Sequence, residues 1–247
     1  MGAACLLALG AGVAAHGVGR NQLRLIVQQQ CVPDWLKTHD PAPCITLSMR
    51  GAGPTASGFA LLADQKGGAH FLLIPIQSIT GIESPALRAT GTLNFFDAAW
   101  KARGVLDTVV GRPVAREITG LAVNSIWARS QDQLHIHIGC LRRFVYDALR
   151  VNADRIGATW SPMTMRGFRY QAIRINGRNL DSTNPFKLLA DSLPGAKDAM
   201  AQFTLFVAGM DFKDGPGFLA LAGRYVPGTE TLLDSSCALA RGGLVTR

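Results

Sequence analysis

The chain has 247 residues, which corresponds to one large domain or to two small units that share a core. Hydrophobic residues make up 48% of it and charged residues 17%, which allows a substantial core and argues against intrinsic disorder. The net charge of +8 favours an anionic partner, such as nucleic acid, an anionic lipid or a phosphorylated substrate.

The positive charge is concentrated in residues 129–178. This block contains nine arginines, no lysine and three acidic residues, so it carries most of the net charge. Arginine presents a planar fork that binds phosphate oxygens in pairs, which favours a phosphate-containing partner. A GC-rich genome, which favours arginine codons, is the alternative explanation. The chain lacks a motif of interleaved basic and aromatic residues, and this argues against nucleic acid as the partner.

The first predicted segment is residues 1–19. Residues 2–19 contain no Asp, Glu, Lys or Arg and are rich in Ala, Gly, Leu and Val, although their glycines weaken a spanning helix. Val13, Ala14 and Ala15 resemble a small-residue cleavage signal, but no basic stretch precedes them. We therefore expect a signal peptide or an N-terminal membrane anchor here, followed by a globular region over 20–247. A buried N-terminal helix is the alternative.

Four of the five cysteines lie beyond that segment, an even number that suits two disulfides in an exported protein. Cys31 and Cys44 are 13 residues apart in a proline-containing stretch, a spacing that suits a small disulfide loop. Cys140 would then pair with Cys237 and link the end of the chain to its centre. Four buried free thiols are the alternative. The absence of a C-x-x-C motif argues against structural zinc.

The first half of the chain predicts strands, two helices and a polar loop. The predicted strands lie at 59–63, 71–76, 118–123 and 133–138. Helices are predicted at 93–110 and 142–156, the first beginning after Thr92 or Asn94 and ending at Gly111. A turn at 65–68 joins the first two strands, so we expect them to form a hairpin.

The second half repeats this order of elements. Its predicted strands lie at 169–175, 203–207 and 218–222. Residues 185–202 predict one helix, or two short helices broken at 194–195. The recurrence predicts an internal duplication, with an active first half at about 20–160 and a degenerate second half at about 161–247. Chance recurrence in an α+β protein is the alternative.

The residues best suited to chemistry are His135 and His137. They alternate with apolar residues in the run 133–138, so both imidazoles project from one face of the predicted strand. A strand holds them more rigidly than a loop, which suits catalysis. A metal-binding pair is one alternative, with His70 or Asp132 as a third ligand. A pair of purely structural histidines is another.

The run 133–139 resembles the histidine triad motif of nucleotide hydrolases and transferases, in which three histidines alternate with apolar residues. Most of the chain, from about residue 20 to Cys237, resembles the family of bacterial CDP-diacylglycerol pyrophosphatases. The matching stretches include 31–33, 73–75, 79–85, 94–96, 99–103, 121–125, 135–140 and 185–186. The first position of the triad holds Gln133 rather than histidine. Glutamine still donates and accepts hydrogen bonds, so the departure affects fine tuning more than the reaction.

The resemblance implies an α+β, histidine-triad-like fold of antiparallel sheets with packed helices. It also implies hydrolysis of CDP-diacylglycerol to CMP and phosphatidate through a cytidylyl-histidine intermediate. His135 would be the nucleophile, with its other ring nitrogen held by a backbone carbonyl. His137 would contact phosphate oxygens or protonate the leaving group.

The resemblance also places polar groups around the α-phosphate. The expected substrate-binding residues are Asn124, Arg129, Ser130 and Gln133. No metal or other cofactor is expected, so such donors and nearby arginines would stabilise the charge that builds on phosphorus. A turn cap is the alternative role for Asn124. A solvated loop is the alternative for Arg129 and Ser130.

The implied substrate is a lipid, so the resemblance predicts a membrane surface as a further partner and a location at the exported face of the cell membrane. We expect a monomer in which the duplication replaces the dimer common among histidine triad enzymes. One alternative is a hydrolase or nucleotidyltransferase that acts on soluble nucleotide diphosphate derivatives. A basic module that binds lipid or nucleic acid without catalysis is another.

Overall fold

A computed structural model describes residues 19–51, 53 and 56–242 of the chain, and within them one antiparallel sheet of ten strands dominates. The strands are β1 (Thr46–Arg50), β2 (Ser57–Ala63), β3 (His70–Pro75), β4 (Thr119–Val123), β5 (Ile136–Leu141), β6 (Ser161–Met165), β7 (Phe168–Asn176), β8 (Phe203–Phe212), β9 (Gly215–Arg224) and β10 (Leu233–Asp234). Their order is β1-β2-β3-β5-β4-β8-β9-β7-β6, and the short β10 pairs with β5. The central position of β5 buries it on both faces.

The helices cover both faces of this sheet. They are α1 (Gln22–Ile26), α2 (Val32–Thr38), α3 (Phe95–Ala102), α4 (Val105–Val110), α5 (Arg143–Asn152), α6 (Pro185–Ser192) and α7 (Ala238–Arg241). A π-helical turn, Val27–Cys31, joins α1 to α2. Asn94 caps α3 by accepting a hydrogen bond from the Asp97 amide, and Gly111 ends α4 in the left-handed conformation.

One face of the sheet carries a single large core, and the other carries two. On the first face α3, α4 and α6 pack through side chains such as Trp100, Phe96 and Phe186. On the opposite face, α1 and the π-helical turn cover β2 and β3 around Val27. A separate cluster there packs α5 against the strands of the second half of the chain around Phe206. A polar strip of the sheet lies between these two clusters.

Most predicted elements are present, with shifted ends. The predicted helix over 93–110 is two helices, and the one over 142–156 ends as α5 followed by a 3₁₀ turn, Ala153–Arg155. Residues 185–202 form α6 and a later 3₁₀ turn, Met200–Gln202, as the break at 194–195 predicted. The pattern missed β1, β6 and β10. Strand β5 also begins later than predicted, at Ile136.

The α+β class is confirmed, and apart from β10, which pairs with β5, the strands of each predicted half are neighbours in the sheet. Strands β1 to β5 of the first half adjoin β6 to β9 of the second half through the β4–β8 pair. The histidine-triad-like fold and the duplication stay predictions. The predicted segment 1–19 lies outside the described residues except for Gly19. Within the described ranges, no helix is long and apolar enough to cross a membrane.

Both expected disulfides are present. Cys31 at the end of the π-helical turn is bonded to Cys44, which closes the loop before β1. Cys140 in β5 is bonded to Cys237, 97 residues later. The second bond ties the end of the chain to the central strand, as the cysteine count predicted.

Candidate active site

The polar strip between the two apolar clusters is centred on His137 of β5. In the sheet register His137 pairs with Leu72 of β3 on one side and with Ala122 of β4 on the other. Leu72 belongs to the cluster under α1, and Ala122 belongs to the cluster under α5. Paired residues of an antiparallel sheet point to the same face, so the imidazole of His137 lies in the gap between the clusters.

His135 lies on the same face, just before β5 begins. Its ring centroid is 4.9 Å from that of His137, and both side chains are buried. The Nδ1 atom of His135 lies 2.8 Å from the backbone oxygen of Gln133. The carbonyl can only accept, so Nδ1 carries the proton and Nε2 keeps a free lone pair. Burial lowers the pKa of His135, which keeps the ring neutral and nucleophilic.

A third histidine and a carboxylate lie beside His137. The Nε2 atom of His70 lies 3.1 Å from Nδ1 of His137. The Oδ2 atom of Asp64 lies 3.6 Å from Nδ1 of His70 and 3.9 Å from Nδ1 of His137. Burial lowers the pKa of His137 well below its usual value, and the neighbouring His135 and His70 rings lower it further.

The cavity in front of these histidines has a volume of about 640 Å³. Its polar lining comprises Gln22, Asp64, Gln65, Lys66, Asn124, Ser130, Gln131, His135, His137 and Glu230, with an apolar lining from Leu23, Ile26, Leu62, Ala63, Leu72 and Ala128. The apolar residues lie mainly on α1, β2 and β3, and Leu23, Ile26, Leu62 and Leu72 among them form what we call the apolar wall of the cavity. A site of this kind suits a ligand with both characters.

Only some of the predicted substrate-binding residues line the cavity. Asn124 and exposed Ser130 line the cavity, and Oδ1 of Asn124 accepts a hydrogen bond from the Thr229 amide at 2.8 Å. The Gln133 side chain is buried, and its Nε2 donates to the backbone oxygens of Pro75 and Gln77. Asn124 and Ser130 therefore face the site, whereas the amide of Gln133 ties β5 to the end of β3.

Arg129 is occupied by two carboxylates. Its Nη1 lies 2.7 Å from Glu83 and its Nε lies 3.1 Å from Asp132, with the side chain only 5% exposed. A Cβ at Gly81 would collide with this guanidinium, so the glycine leaves room for it. Arg20 also binds Asp132, at 2.7 Å. Together the two arginines lower the pKa of Asp132 to about 2. Asp132, a candidate third ligand in the alternative metal-binding interpretation, is thus engaged by two arginines.

The rest of the arginine block does not surround the site. In the described part of the chain, no arginine lines the cavity of the histidines. Arg142, Arg143 and Arg166 instead border a larger hollow of about 990 Å³ beside α5. There the guanidinium of Arg143 binds Asp147 at 2.9 Å, and that of Arg166 stacks on Phe144. Arg142, Arg143 and Arg166 therefore line a hollow other than the cavity of the histidines.

Sequence reasoning missed Asp64, Lys66, Glu230 and the apolar wall. Asp64 follows β2 and Glu230 lies in the 3₁₀ turn Thr229–Leu232, so neither belongs to a recognisable motif. His70 was found only as a possible metal ligand. Asp64, His70 and His137 do bring donor atoms within 4.8 Å of one another, close enough for a metal ion.

Two neighbouring histidines, one with a free Nε2, inside an amphipathic cavity define an enzyme that acts by nucleophilic or acid–base chemistry. A family model described as CDP-diacylglycerol pyrophosphatase matches residues 18–241. A curated relative from Yersinia pestis, a CDP-diacylglycerol pyrophosphatase, is 38% identical over 201 residues, which cover 81% of this chain and 74% of the relative. The chain belongs to the CDP-diacylglycerol pyrophosphatase family and is a hydrolase, as the sequence resemblance predicted.

Proposed function

We propose that the enzyme hydrolyses CDP-diacylglycerol to CMP and phosphatidate through a covalent cytidylyl intermediate on His135. The observation that carries this proposal is the 2.8 Å contact between His135 Nδ1 and the Gln133 backbone oxygen. It fixes the tautomer, so the Nε2 lone pair is available to attack phosphorus. Family membership supplies the substrate.

The reaction divides into two displacements at the α-phosphorus. In the first, His135 Nε2 forms a P–N bond while the P–O bond to phosphatidate breaks, and the electron pair leaves with phosphatidate. In the second, water attacks the same phosphorus, and the electron pair of the P–N bond returns to Nε2. Splitting one difficult hydrolysis into two easier steps is the advantage of a nucleophilic side chain.

The polar lining residues of the cavity supply groups for the phosphates. Asn124 and Ser130 line the cavity with His135, and Lys66 is its only lining cation among the described residues. We place Asn124, Ser130 and Lys66 against the phosphate oxygens, where they would stabilise the charge of the transition state. His137 contacts the phosphate from the same face. Arg129, bound by Glu83 and Asp132, would act by holding the 128–132 loop in shape.

The apolar wall favours a lipid over a soluble nucleotide. Leu23 and Ile26 of α1 face the same cavity as His135, together with Leu62 and Leu72 of the sheet. The glycerol and the first methylenes of the acyl chains would lie against them, and each buried methylene contributes about 0.8 kcal/mol. A soluble nucleotide diphosphate derivative would leave this wall without a partner.

A membrane surface at the exported face is the proposed location, with the enzyme acting as a monomer. Trp127 is 73% exposed and lies one residue before Ala128, which lines the cavity. An exposed tryptophan suits the boundary between water and lipid. The two disulfides suit an oxidising compartment.

The test uses CDP-diacylglycerol labelled at the α-phosphate, mixed with the enzyme and quenched in base. We expect label on the wild-type protein and none on His135→Asn. Absence of label from the wild type would overturn the covalent mechanism. Equal turnover of CDP-diacylglycerol and a water-soluble CDP-alcohol, without dependence on detergent, would instead favour the soluble substrate.

A further inference from the structure

Asp64, His70 and His137 form a cluster of polar side chains, of which Asp64 and His137 line the cavity. The two ring nitrogens of His70 face different partners: Nδ1 lies 3.6 Å from Asp64 Oδ2, and Nε2 lies 3.1 Å from Nδ1 of His137. The His70 and His137 side chains are 5% and 8% exposed. The remaining nitrogen of His137, Nε2, is buried and has no hydrogen-bond partner. His137 lines the cavity, so this nitrogen is the one left for substrate or water.

The carboxylate of Asp64 determines which ring nitrogens of His70 and His137 carry protons. A hydrogen bond between two ring nitrogens needs one donor and one acceptor, so a single proton lies between His70 and His137. With Nδ1–H of His70 facing Asp64, its Nε2 must accept from Nδ1–H of His137. The opposite arrangement would set a lone pair of His70 against the carboxylate. Asp64 therefore favours the tautomer in which His137 Nε2 carries a lone pair.

A lone pair at this position suits one half of the reaction more than the other. The leaving phosphatidate departs as a stable phosphate anion and has little need of an acid. Water, by contrast, is a weak nucleophile that gains from a base at the moment of attack. His137 Nε2 is buried beside His135, where the cytidylyl group would be attached.

We propose that Asp64 and His70 are positioning residues that hold His137 as the general base for hydrolysis of the cytidylyl-enzyme. The inference rests on the proposed function, because it concerns the second displacement on His135. The water oxygen bonds to phosphorus, one of its protons moves to His137 Nε2, and the other stays on the phosphate of CMP. The P–N electron pair returns to His135, and the carboxylate of Asp64 stabilises the imidazolium until its proton passes to solvent.

The same three residues also bring donor atoms within 4.8 Å of one another, so a metal ion is the competing use of this cluster. The carboxylate lies near a nitrogen of each ring, with Asp64 Oδ2 3.6 Å from His70 Nδ1 and 3.9 Å from His137 Nδ1. A negative charge there favours a proton on both Nδ1 atoms, as a carboxylate sets the tautomer of the histidine in hydrolytic triads. Removal of metal ions, included in the test below, separates the two uses.

Asp64→Asn is the most direct test, because it is nearly isosteric and reverses the preferred tautomer. Oδ1 at this position accepts from the Lys66 amide at 2.9 Å, so the variant keeps its oxygen there and turns its NH2 group toward His70 Nδ1. His70 Nε2 would then be the donor, and His137 Nε2 would carry a proton. With α-labelled CDP-diacylglycerol and a rapid base quench, we expect kcat to fall by about 10²-fold or more. The labelled fraction should rise toward one per enzyme and KM should fall with kcat, leaving kcat/KM within about threefold.

Two further variants serve as a rescue and a control for this test. Asp64→Glu restores a carboxylate and should recover part of kcat, whereas Asp147→Asn, on the exposed face of α5, should match the wild type. A fall in kcat/KM without any rise of labelled enzyme would overturn the proposed roles of Asp64, His70 and His137, but not the covalent mechanism. So would loss of wild-type activity in EDTA with recovery in Zn²⁺. Absence of label from both the wild type and Asp64→Asn would overturn the covalent mechanism itself.

Discussion

The Nδ1 atom of His135 and the backbone oxygen of Gln133 lie 2.8 Å apart, so the main chain itself sets the tautomer of the nucleophile. The side chain at position 133 is not needed for this contact. A glutamine at the first position of the motif is therefore compatible with a nucleophilic His135.

The first prediction concerns that nucleophile. His135→Gln removes the ring nitrogen that attacks phosphorus, so steady-state hydrolysis of CDP-diacylglycerol should fall by about 10³-fold or more. The measurement is release of CMP by the purified variant. His39→Gln, at an exposed histidine after α2, serves as the control and should retain full activity. Retention of more than about a tenth of the wild-type rate by His135→Gln would contradict the assignment.

The second prediction concerns the apolar wall. The double variant Leu23→Ala, Ile26→Ala removes several methylenes from the cavity, and KM for CDP-diacylglycerol in mixed micelles should rise by about tenfold or more. Turnover of a water-soluble CDP-alcohol should change little, because it does not reach the wall. Leu36→Ala, at an exposed position of α2 that does not line the cavity, is the matched control. Equal effects on both substrates would show that the wall does not contact lipid.

The third prediction compares the two disulfides. Replacing Cys140 and Cys237 by serine opens a loop of 97 residues, and replacing Cys31 and Cys44 opens one of 13. On the loop-entropy model the losses in unfolding free energy are about 4–5 and about 3 kcal/mol. Urea unfolding of the two double variants checks this order. A larger loss from the shorter loop would indicate that local packing outweighs chain entropy.

The fourth prediction concerns pH. Burial lowers the pKa values of His70, His135 and His137 in the folded protein. The unfolded chain takes up protons at the ordinary histidine value of about 6.5, while the folded chain resists them. The contribution of these neutral histidines to stability should therefore be complete above about pH 6.5. Below that value the free energy of unfolding should fall, by up to ~1.4 kcal/mol per pH unit for each histidine.

Urea unfolding from pH 8.5 to 5.5 measures this slope, and His70→Gln should make it shallower. Between pH 7.5 and 8.5, where histidines are neutral in both states, the difference between variant and wild type should stay constant. An unchanged slope below pH 6.5 in His70→Gln would show that His70 takes up its proton equally in the folded and unfolded chain.

The sequence by itself determined the α+β class, most of the strands and the family, and it made the observed cysteine pairing an expectation. Period-two alternation places side chains on one face of a strand whatever surrounds it, and this was enough to bring His135 and His137 together. The caps at Asn94 and Gly111 depend on local backbone geometry, so they too could be predicted. Local rules of this kind need no knowledge of distant contacts.

Only the tertiary structure decided what surrounds the histidines. His70 and Asp64 meet His137 because β3 pairs with β5, a register between strands more than 60 residues apart. The same pairing sets Leu72 beside His137 and builds the apolar wall. Arg129 lies near His135 in sequence, but Glu83 from a distant loop neutralises its charge. Such contacts depend on which strands and loops become neighbours, and the spacing of residues along one strand carries no information about that.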